Sequence, residues 1–450
     1  MVETYMPDSA RTYRYHIVTF GCQMNKNDSE RIASILGGMG LEPTNDPKEA
    51  DVALINSCSV RQSAEDRVYG LGANWVGLKA AKPELIVCLT GCMPGRDKDG
   101  RMRSRLPGVD LYFPTKDMVY LPQRLAEINP NLRPMVDLAS DYLSLRPTYQ
   151  KTCQAYVTIQ TGCNHFCTYC VVPFARGLEA NRSLRDILDE VRALSAGGCL
   201  EVTLLGQIVN HYRAPDPEHF SRLNPYAKND FAKLLWEINE IPGIARVHWT
   251  APHPLYMDAE VIDALTLPKQ VNYLHLPVQS GSNEILERMN RRHTREFYLE
   301  VVKKIRSKRP DIALGTDIIV GFSGETEEQF AATVALYKEC DFDISYHAQY
   351  SPRTGTVAHN IFQDTVPRDE KRRRWWVLQN LLESTVRRKN QAFVGKAVEV
   401  LAESSENGWV SGNSREMKRV HFPGGPELAG TLQRVSVERA EEWILWGKPV

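Results

Sequence analysis

Within the first 92 residues, three apolar runs of β-forming residues each stop at a cysteine: YHIVTFGC (15–22), ADVALINSC (50–58) and ELIVCLTGC (84–92). Helical patterns separate them, over 28–39 and around 65–79, so the segment alternates strand with helix. That rhythm calls for a parallel sheet covered on both faces. In such sheets the carboxyl ends of the strands form the ligand crevice. Cys22, Cys58 and Cys92 all fall at that end, and Cys22 and Cys92 follow Gly21 and Gly91, where the backbone can turn tightly. Three thiols can therefore converge on one point.

The stretch NPNLRPMVDLASDYLSLRPTYQKT (129–152) carries three prolines and no sustained period, which places the first boundary there. Beyond it the strand-then-helix rhythm resumes. Strands are expected at AYVTIQTGC (155–163), EVTLLGQ (201–207), RVHWTA (246–251), YLHLPVQ (273–279), LGTDIIVGF (314–322) and ISYHAQYS (344–351). This number of βα units suits a full or partial barrel, whose chemistry sits on loops at the carboxyl ends of the strands. Cys163, Gly206 and Gln279 fall there. Residues 368–390 read as a charged helix with Trp375, Leu378, Leu381 and Leu382 as a buried stripe. Short strands with glycine turns follow and fit a small antiparallel β-barrel, an architecture common among nucleic-acid binders. The expected fold class is α/β, with domains at 1–130, 149–380 and 384–450.

No apolar run approaches the ~20 residues that span a bilayer, and the acidic, proline-containing start MVETYMPDSA does not read as a signal peptide. A cytoplasmic protein without a membrane partner is expected. Lys+Arg 55 against Asp+Glu 55 removes any whole-molecule electrostatic case for nucleic acid and leaves only local basic patches. Ten cysteines in 450 residues are too sparse for a disulfide scaffold, so clustered ones point to metal or redox chemistry. Cys88 reads as core; Cys153, Cys199 and Cys340 have no informative placement.

The sharpest motif is GCNHFCTYC (162–170), a Cys-x-x-x-Cys-x-x-Cys spacing directly after a strand. Offsets of four and seven also fit one helical face, so three buried core cysteines are one reading. Zinc with His165 as fourth ligand is another. Three thiolates in one loop can instead hold an iron–sulfur cluster. A four-iron cube on three cysteines leaves one iron free for a small molecule.

With an aromatic residue, Tyr169, before its last cysteine, this motif resembles the radical S-adenosylmethionine superfamily. The resemblance implies a [4Fe–4S] cluster on Cys163, Cys167 and Cys170 whose electron splits S-adenosylmethionine, giving a radical able to open an unactivated C–H bond. Gly206 and Gln207, Gln279 and Ser280, and Gly321 and Glu325 look like that family's cofactor-holding positions. TFGCQMNKNDSE, NSCSVRQSAEDRV, LTGCMPGR, CTYCVVPFARG, HLPVQSGS, TDIIVGFSGETEE, QYSPRTGT and GWVSGNS resemble the methylthiotransferase family along nearly the whole chain. That resemblance implies a second [4Fe–4S] cluster on Cys22, Cys58 and Cys92, a radical SAM barrel, and a final RNA-binding TRAM barrel.

Gln23-Met24-Asn25 and Val171-Val172-Pro173 look like the branch that methylthiolates carbon 2 of N6-isopentenyladenosine beside the anticodon of tRNA. Branches acting on threonylcarbamoyladenosine or ribosomal protein S12 are the alternatives, and a non-catalytic metal-containing RNA-binding protein is the alternative of another class. Ile208 and Ala251 depart from the branch pattern, where a polar residue and a serine are usual. The partners implied are the tRNA anticodon loop, an electron donor and a supplier of sulfur or clusters. Candidate RNA contacts are Lys371–Arg374, Arg387, Arg388, Lys389, Arg415, Lys418 and Arg419; Arg176 and Arg182 suit cofactor, substrate or an ordinary salt bridge. Asp317 is a further candidate cofactor contact.

Overall fold

The computed structural model describes residues 11–60, 62–132, 141–149, 151 and 153–450. The opening decapeptide, Arg61 of the second cysteine motif and part of the 129–152 boundary lie outside the described residues. In chain order the elements begin β1 (Arg14–Thr19), α1 (Gln23–Gly38), β2 (Glu42–Pro43), β3 (Val52–Ser57), α2 (Gln62–Ala81), β4 (Ile86–Gly91), α3 (Cys92–Arg96), β5 (Leu111–Tyr112) and α4 (Leu121–Ile128). Next come β6 (Gln154–Thr158), β7 (Gln160–Thr161), α5 (Val172–Arg176), β8 (Ala180–Asn181), α6 (Leu184–Ala196), β9 (Glu201–Leu205), α7 (Asp230–Glu240), β10 (Arg246–Trp249), α8 (Ala259–Ala264), β11 (Tyr273–His275) and α9 (Asn283–Arg288). The chain continues through α10 (Arg295–Lys308), β12 (Ala313–Val320), α11 (Glu327–Cys340), β13 (Ile344–Gln349), α12 (Val357–Ile361) and α13 (Arg368–Gln391). It ends with β14 (Ala397–Glu406), β15 (Trp409–Ser414), β16 (Arg419–Pro423), β17 (Leu432–Ala440) and β18 (Leu445–Pro449).

Two compact units result: Met1–Gln150 with Thr161–Asn164 and Cys170–Ala180, and Lys151–Gln160 with His165–Tyr169 and Asn181–Val450. In the first, five parallel strands lie in the order β2-β1-β3-β4-β5. Side chains alternate faces along a strand, and both faces here are apolar. Val52, Leu54, Ile86 and Cys88 pack with α1 residues Ile32 and Leu36 on one side. Ala53, Ile55, Val87 and Leu89 pack with α2 residues Val68 and Trp75 on the other. Cys88 is thus a core residue, as its sequence placement suggests. Helix α1 starts five residues before the expected position, because the Cys22 backbone N–H is already tied to Asn25 Oδ1 at 3.3 Å.

In the second unit, β10-β9-β6 and β11-β12-β13 form two parallel three-stranded sheets. Isolated parallel bridges at Val247–Gln270 and Gln279–Ile318 extend the pairing. Among the described residues no pairing joins β13 to β6, so the barrel is partial. The last five strands close completely in the order β14-β15-β16-β18-β17. The sequence reading expects all pairs antiparallel, but β16 and β18 run parallel. A closed ring of five cannot alternate direction throughout, so one parallel pair is unavoidable.

This small barrel is held within the second unit by polar contacts to the amino ends of the parallel strands. Arg246, fully buried at the start of β10, donates to the Glu399 carboxylate (3.1 Å) and to the carbonyls of Glu399 (2.8 Å) and Asn413 (2.9 Å). Arg415 donates to the Gln270 carbonyl at 2.7 Å, and Lys418 pairs with Asp343, just ahead of β13. These contacts lie at the strand starts, away from the carboxyl ends of those strands.

Candidate active site

In the first unit, Cys22 caps α1 directly after β1, Cys58 directly follows β3, and Cys92 opens α3 directly after β4. These strands are sheet neighbours in the order β1-β3-β4, so even the outer two ends lie only about two interstrand spacings apart, roughly 10 Å. Cys58 and Cys92 are buried and Cys22 is exposed; all are free thiols. Burial pushes the Cys92 thiol up to about 11; the nearby Arg176 guanidinium pulls it down, while the Cys58 and Cys22 thiols add to the rise. A buried amide pair backs the group: Asn25 Nδ2 donates to Asn56 Oδ1 and the Ser57 carbonyl, each at 3.2 Å, and Asn56 Nδ2 returns to the Asn25 carbonyl at 2.8 Å. The Val60 N–H points at Cys58 Sγ at 3.4 Å. Gly91 is required here, since at φ 102° a Cβ would stand 2.3 Å from the Ser57 carbonyl oxygen.

Of the second set, Cys163 and Cys170 belong to the first unit and Cys167 to the second. The Val172 N–H donates to Cys170 Sγ at 3.4 Å, and Arg291 Nη1 to Cys167 Sγ at 3.6 Å. Helices α3 and α5, which follow Cys92 and Cys170, touch so closely that a Cβ on Gly95 would lie 2.1 Å from the Ala175 carbonyl oxygen. Arg176, at the end of α5, forms a buried ion pair with Asp28 of α1 at 2.6 Å. Arg176 thus makes the salt bridge, one of the roles weighed for it. Arg182 likewise pairs with Glu190.

His165 is not set among the thiols as a fourth ligand. Its Nε2 lies 2.8 Å from the Tyr256 hydroxyl and its ring centroid 4.6 Å from that of His253. Among the described residues, no group of three or more His, Cys, Asp and Glu side chains is gathered closely enough to hold a metal ion. The ring of Tyr169 packs against Ile285, Met289, Phe322, Tyr350 and Ala358.

Gly206 directly follows β9, where a Cβ would press within 3.1 Å of Val209 Cα; Gln207 comes next, half-buried. Gln279 is buried with a left-handed backbone at φ 74°, a conformation rare outside glycine and often kept at functional strand ends. Ala251 (φ 60°) and Phe166 (φ 49°) share it. Ile208 is buried, its N–H bound to Gln160 Oε1 at 3.1 Å. Ser280 is buried against the Thr333 hydroxyl (3.3 Å) and accepts from the Ser282 N–H. Glu325 accepts from the Gly321 N–H at 2.7 Å and from Arg374 at 2.8 Å, and burial pushes its carboxyl up. Asp317 faces His275 at 3.2 Å. Sequence reasoning missed Arg291, His253 and Tyr256, which come together only through loops far apart in the chain.

Four of the basic residues nominated for RNA, Lys371, Arg374, Arg415 and Lys418, are committed elsewhere. Lys371 and Arg374 are buried, paired with Asp364 (2.7 Å) and with Glu325 and Glu370. They belong to the inward face of α13 with Leu378, Leu382, Val386 and Asn390, whereas Trp375 and Leu381 of the expected stripe are only half-buried. Lys418 is buried on Asp343, and Arg415 is spent on backbone carbonyls. Arg373, Arg387, Arg388, Lys389 and Arg419 stand in ion pairs with Glu370, Glu442, Asp341, Asp343 and Glu403. Arg372 is exposed.

Residues 157–337 match the model of the radical SAM superfamily, and residues 14–114 that of the uncharacterized protein family UPF0004. A tRNA-2-methylthio-N(6)-dimethylallyladenosine synthase from Geobacillus kaustophilus (strain HTA426) is 40% identical over 449 residues, covering 98% of this chain and 83% of the relative. Synthases of the same name from Thermoanaerobacter sp. (strain X514) and Burkholderia multivorans (strain ATCC 17616 / 249) are each 39% identical, covering 100% and 98% of this chain and 95% and 97% of theirs. Among solved structures, the radical S-adenosylmethionine methyltransferase TsrM from Kitasatospora setae shares the fold at TM-score 0.54 and 14% identity, over 78% of this chain and 74% of that one. With near-complete coverage at about two residues in five, the chain belongs to the tRNA-2-methylthio-N(6)-dimethylallyladenosine synthase family of radical SAM proteins.

Proposed function

We propose that the chain transfers a methylthio group to carbon 2 of N6-dimethylallyladenosine beside the anticodon of tRNA, using S-adenosylmethionine and two [4Fe–4S] clusters. The observation that carries this reading is the near-full-length identity to relatives named as synthases of that nucleoside. The free cysteines at three neighbouring strand ends support the second cluster.

The donor chemistry fits. Each set is three thiols without a carboxylate or imidazole, and N–H groups point at Cys58, Cys170 and Cys167 as they do toward thiolate ligands. Cys163, Cys167 and Cys170 would hold one cluster and Cys22, Cys58 and Cys92 the other. Bound there, the first supplies the electron that cleaves S-adenosylmethionine and the second an open iron for the sulfur to be inserted.

The chain's own residues bind and orient. Gly206 keeps backbone accessible at the end of β9, and Gln207 and Gln279 are the candidate cofactor contacts. Ser280 and Glu325 act as positioning residues, because their polar atoms fasten the turn at Thr333 and the Gly321 N–H. Tyr169 anchors the cysteine loop through its packed ring. The target base must leave its stack to present carbon 2 at a buried site. An external electron donor and a sulfur or cluster supplier complete the partners.

Anaerobic reconstitution tests this reading. About eight irons per chain are expected, falling to about four in Cys22→Ala. Cys22→Ala retains 5′-deoxyadenosine formation and loses methylthio transfer, whereas Cys167→Ala loses both. Mass spectrometry of tRNA nucleosides from a deletion strain should show loss of the 2-methylthio group on dimethylallyladenosine. Loss on threonylcarbamoyladenosine instead would overturn the substrate.

A further inference from the structure

The closed barrel β14–β18 presents a cleft of about 610 Å³ that the cluster chemistry does not use. Strand register builds it. Ser411 pairs with His421, His421 with Trp446 and Trp446 with Arg439, so one side chain from each of four neighbouring strands stands in a transverse row. Between them, Val410, Val420, Phe422, Val437 and Leu445 point into the barrel core. The row is therefore on the outer face. Trp409 stands beside it, 45% exposed, its ring centroid 5.3 Å from that of Trp446 at nearly a right angle. His421 lies 5.0 Å from Trp446, and the Arg439 guanidinium 5.1 Å from the same ring, in an exposed ion pair with Glu441 at 3.1 Å that solvent keeps weak.

Core packing does not account for an exposed indole beside a half-buried indole and imidazole on the outer face, since the barrel interior is filled by other residues. The indole Nε1 of Trp446 is moreover buried with no hydrogen-bond partner. Flat aromatic faces with a guanidinium form the platform on which unpaired nucleobases stack. Glu406 at the rim disfavours a phosphate directly above it, so the base and not the phosphate is what the cleft suits.

Position narrows the ligand further. The barrel is fastened to the amino ends of the parallel strands through Glu399, Asn413, Arg415 and Lys418, at one end of the β14–β15 hairpin. Glu406 and Trp409 form the other end of that hairpin. The candidate cofactor positions are at the carboxyl ends of those strands, and β12 alone, with eight residues, is about 26 Å long. A base in the cleft is thus a different base from the one modified.

We propose that Trp409, His421, Trp446 and Arg439 form a stacking site for an unpaired nucleobase of the RNA substrate, remote from the modified adenosine. The proposal rests on the tRNA reading above. Its test is titration of full-chain protein into fluorescently labelled tRNA, followed by anisotropy. Trp409→Ala and Arg439→Ala should raise the tRNA Kd by about 5-fold to 100-fold, and Trp409→Phe should recover most of the affinity. Reductive cleavage of S-adenosylmethionine without RNA should be unchanged in these variants. A five-nucleotide oligomer carrying dimethylallyladenosine is too short to reach the cleft, and wild type and Trp409→Ala should methylthiolate it alike. Variants that bind tRNA within twofold of wild type, with thermal midpoints unchanged, overturn the cleft and leave the tRNA reading standing. Wild-type protein that binds no tRNA overturns both.

Discussion

Replacing Arg176 by methionine probes the most deeply buried charge pair beside the cysteines. Its guanidinium is 2% exposed and the Asp28 carboxylate 0%, with 2.6 Å between them. Among the described residues, the Tyr142 hydroxyl also donates to that carboxylate, at 2.6 Å from Oδ1. Arg176→Met therefore leaves a buried carboxylate with a single neutral donor. Breaking such a pair costs about 3–5 kcal/mol. Removing the charge as well, in Asp28→Asn with Arg176→Met, should recover about 1–3 kcal/mol of that, because an amide is far cheaper to bury than an anion. Hydrogen exchange in the apo chain, read on peptides from β3 and β4, measures the loss within the first unit. A single variant within about 1 kcal/mol of wild type, or a double variant as unstable as the single, refutes the reasoning.

Gly95→Ala drives a Cβ into the Ala175 carbonyl and should cost at least about 1–3 kcal/mol in thermal or urea unfolding. Gly37→Ala, in α1 with nothing within 4 Å, is the control and should be neutral or gain up to about 1 kcal/mol. Burial holds His248 and His347 down to about 4, with His275 a lesser cause for His248, so both are neutral in the fold and bind protons near 6.5 when unfolded. The unfolded state takes up more protons between those values, and stability should fall as pH drops from about 6.5 toward 4. Urea midpoints at pH 7.5 and 5 measure this, and His347→Gln should flatten the decline; identical midpoints would contradict it.

Features written along one strand or one turn were legible. The period-two apolar pattern of VALIN assigns its residues to two faces, and the structure sends Leu54 and Ile55 to opposite cores. The cysteines at strand ends were visible for the same reason. Charge was misread on α13, because Lys371 and Arg374 find partners in Asp364 and Glu325, and nothing in a run such as KRRRWW states which way it faces. Helical spacing alone puts 371, 374, 378 and 382 on one side; hydrophobicity found Leu378 and Leu382 but took Trp375 and Leu381 in place of the two buried cations. Arg291 beneath Cys167 and the row from Ser411 to Arg439 depend on loop closure and interstrand register, which a linear reading does not contain.

Ring closure of the final five strands also has a colloidal meaning. Strand β18 alone separates β16 from β17. Deleting Leu445–Pro449 would uncover two ladders of unsatisfied amides at once, a template for chain-to-chain pairing. Shortening the carboxyl terminus by one strand should therefore drive chains to aggregate, a rise that light scattering would read.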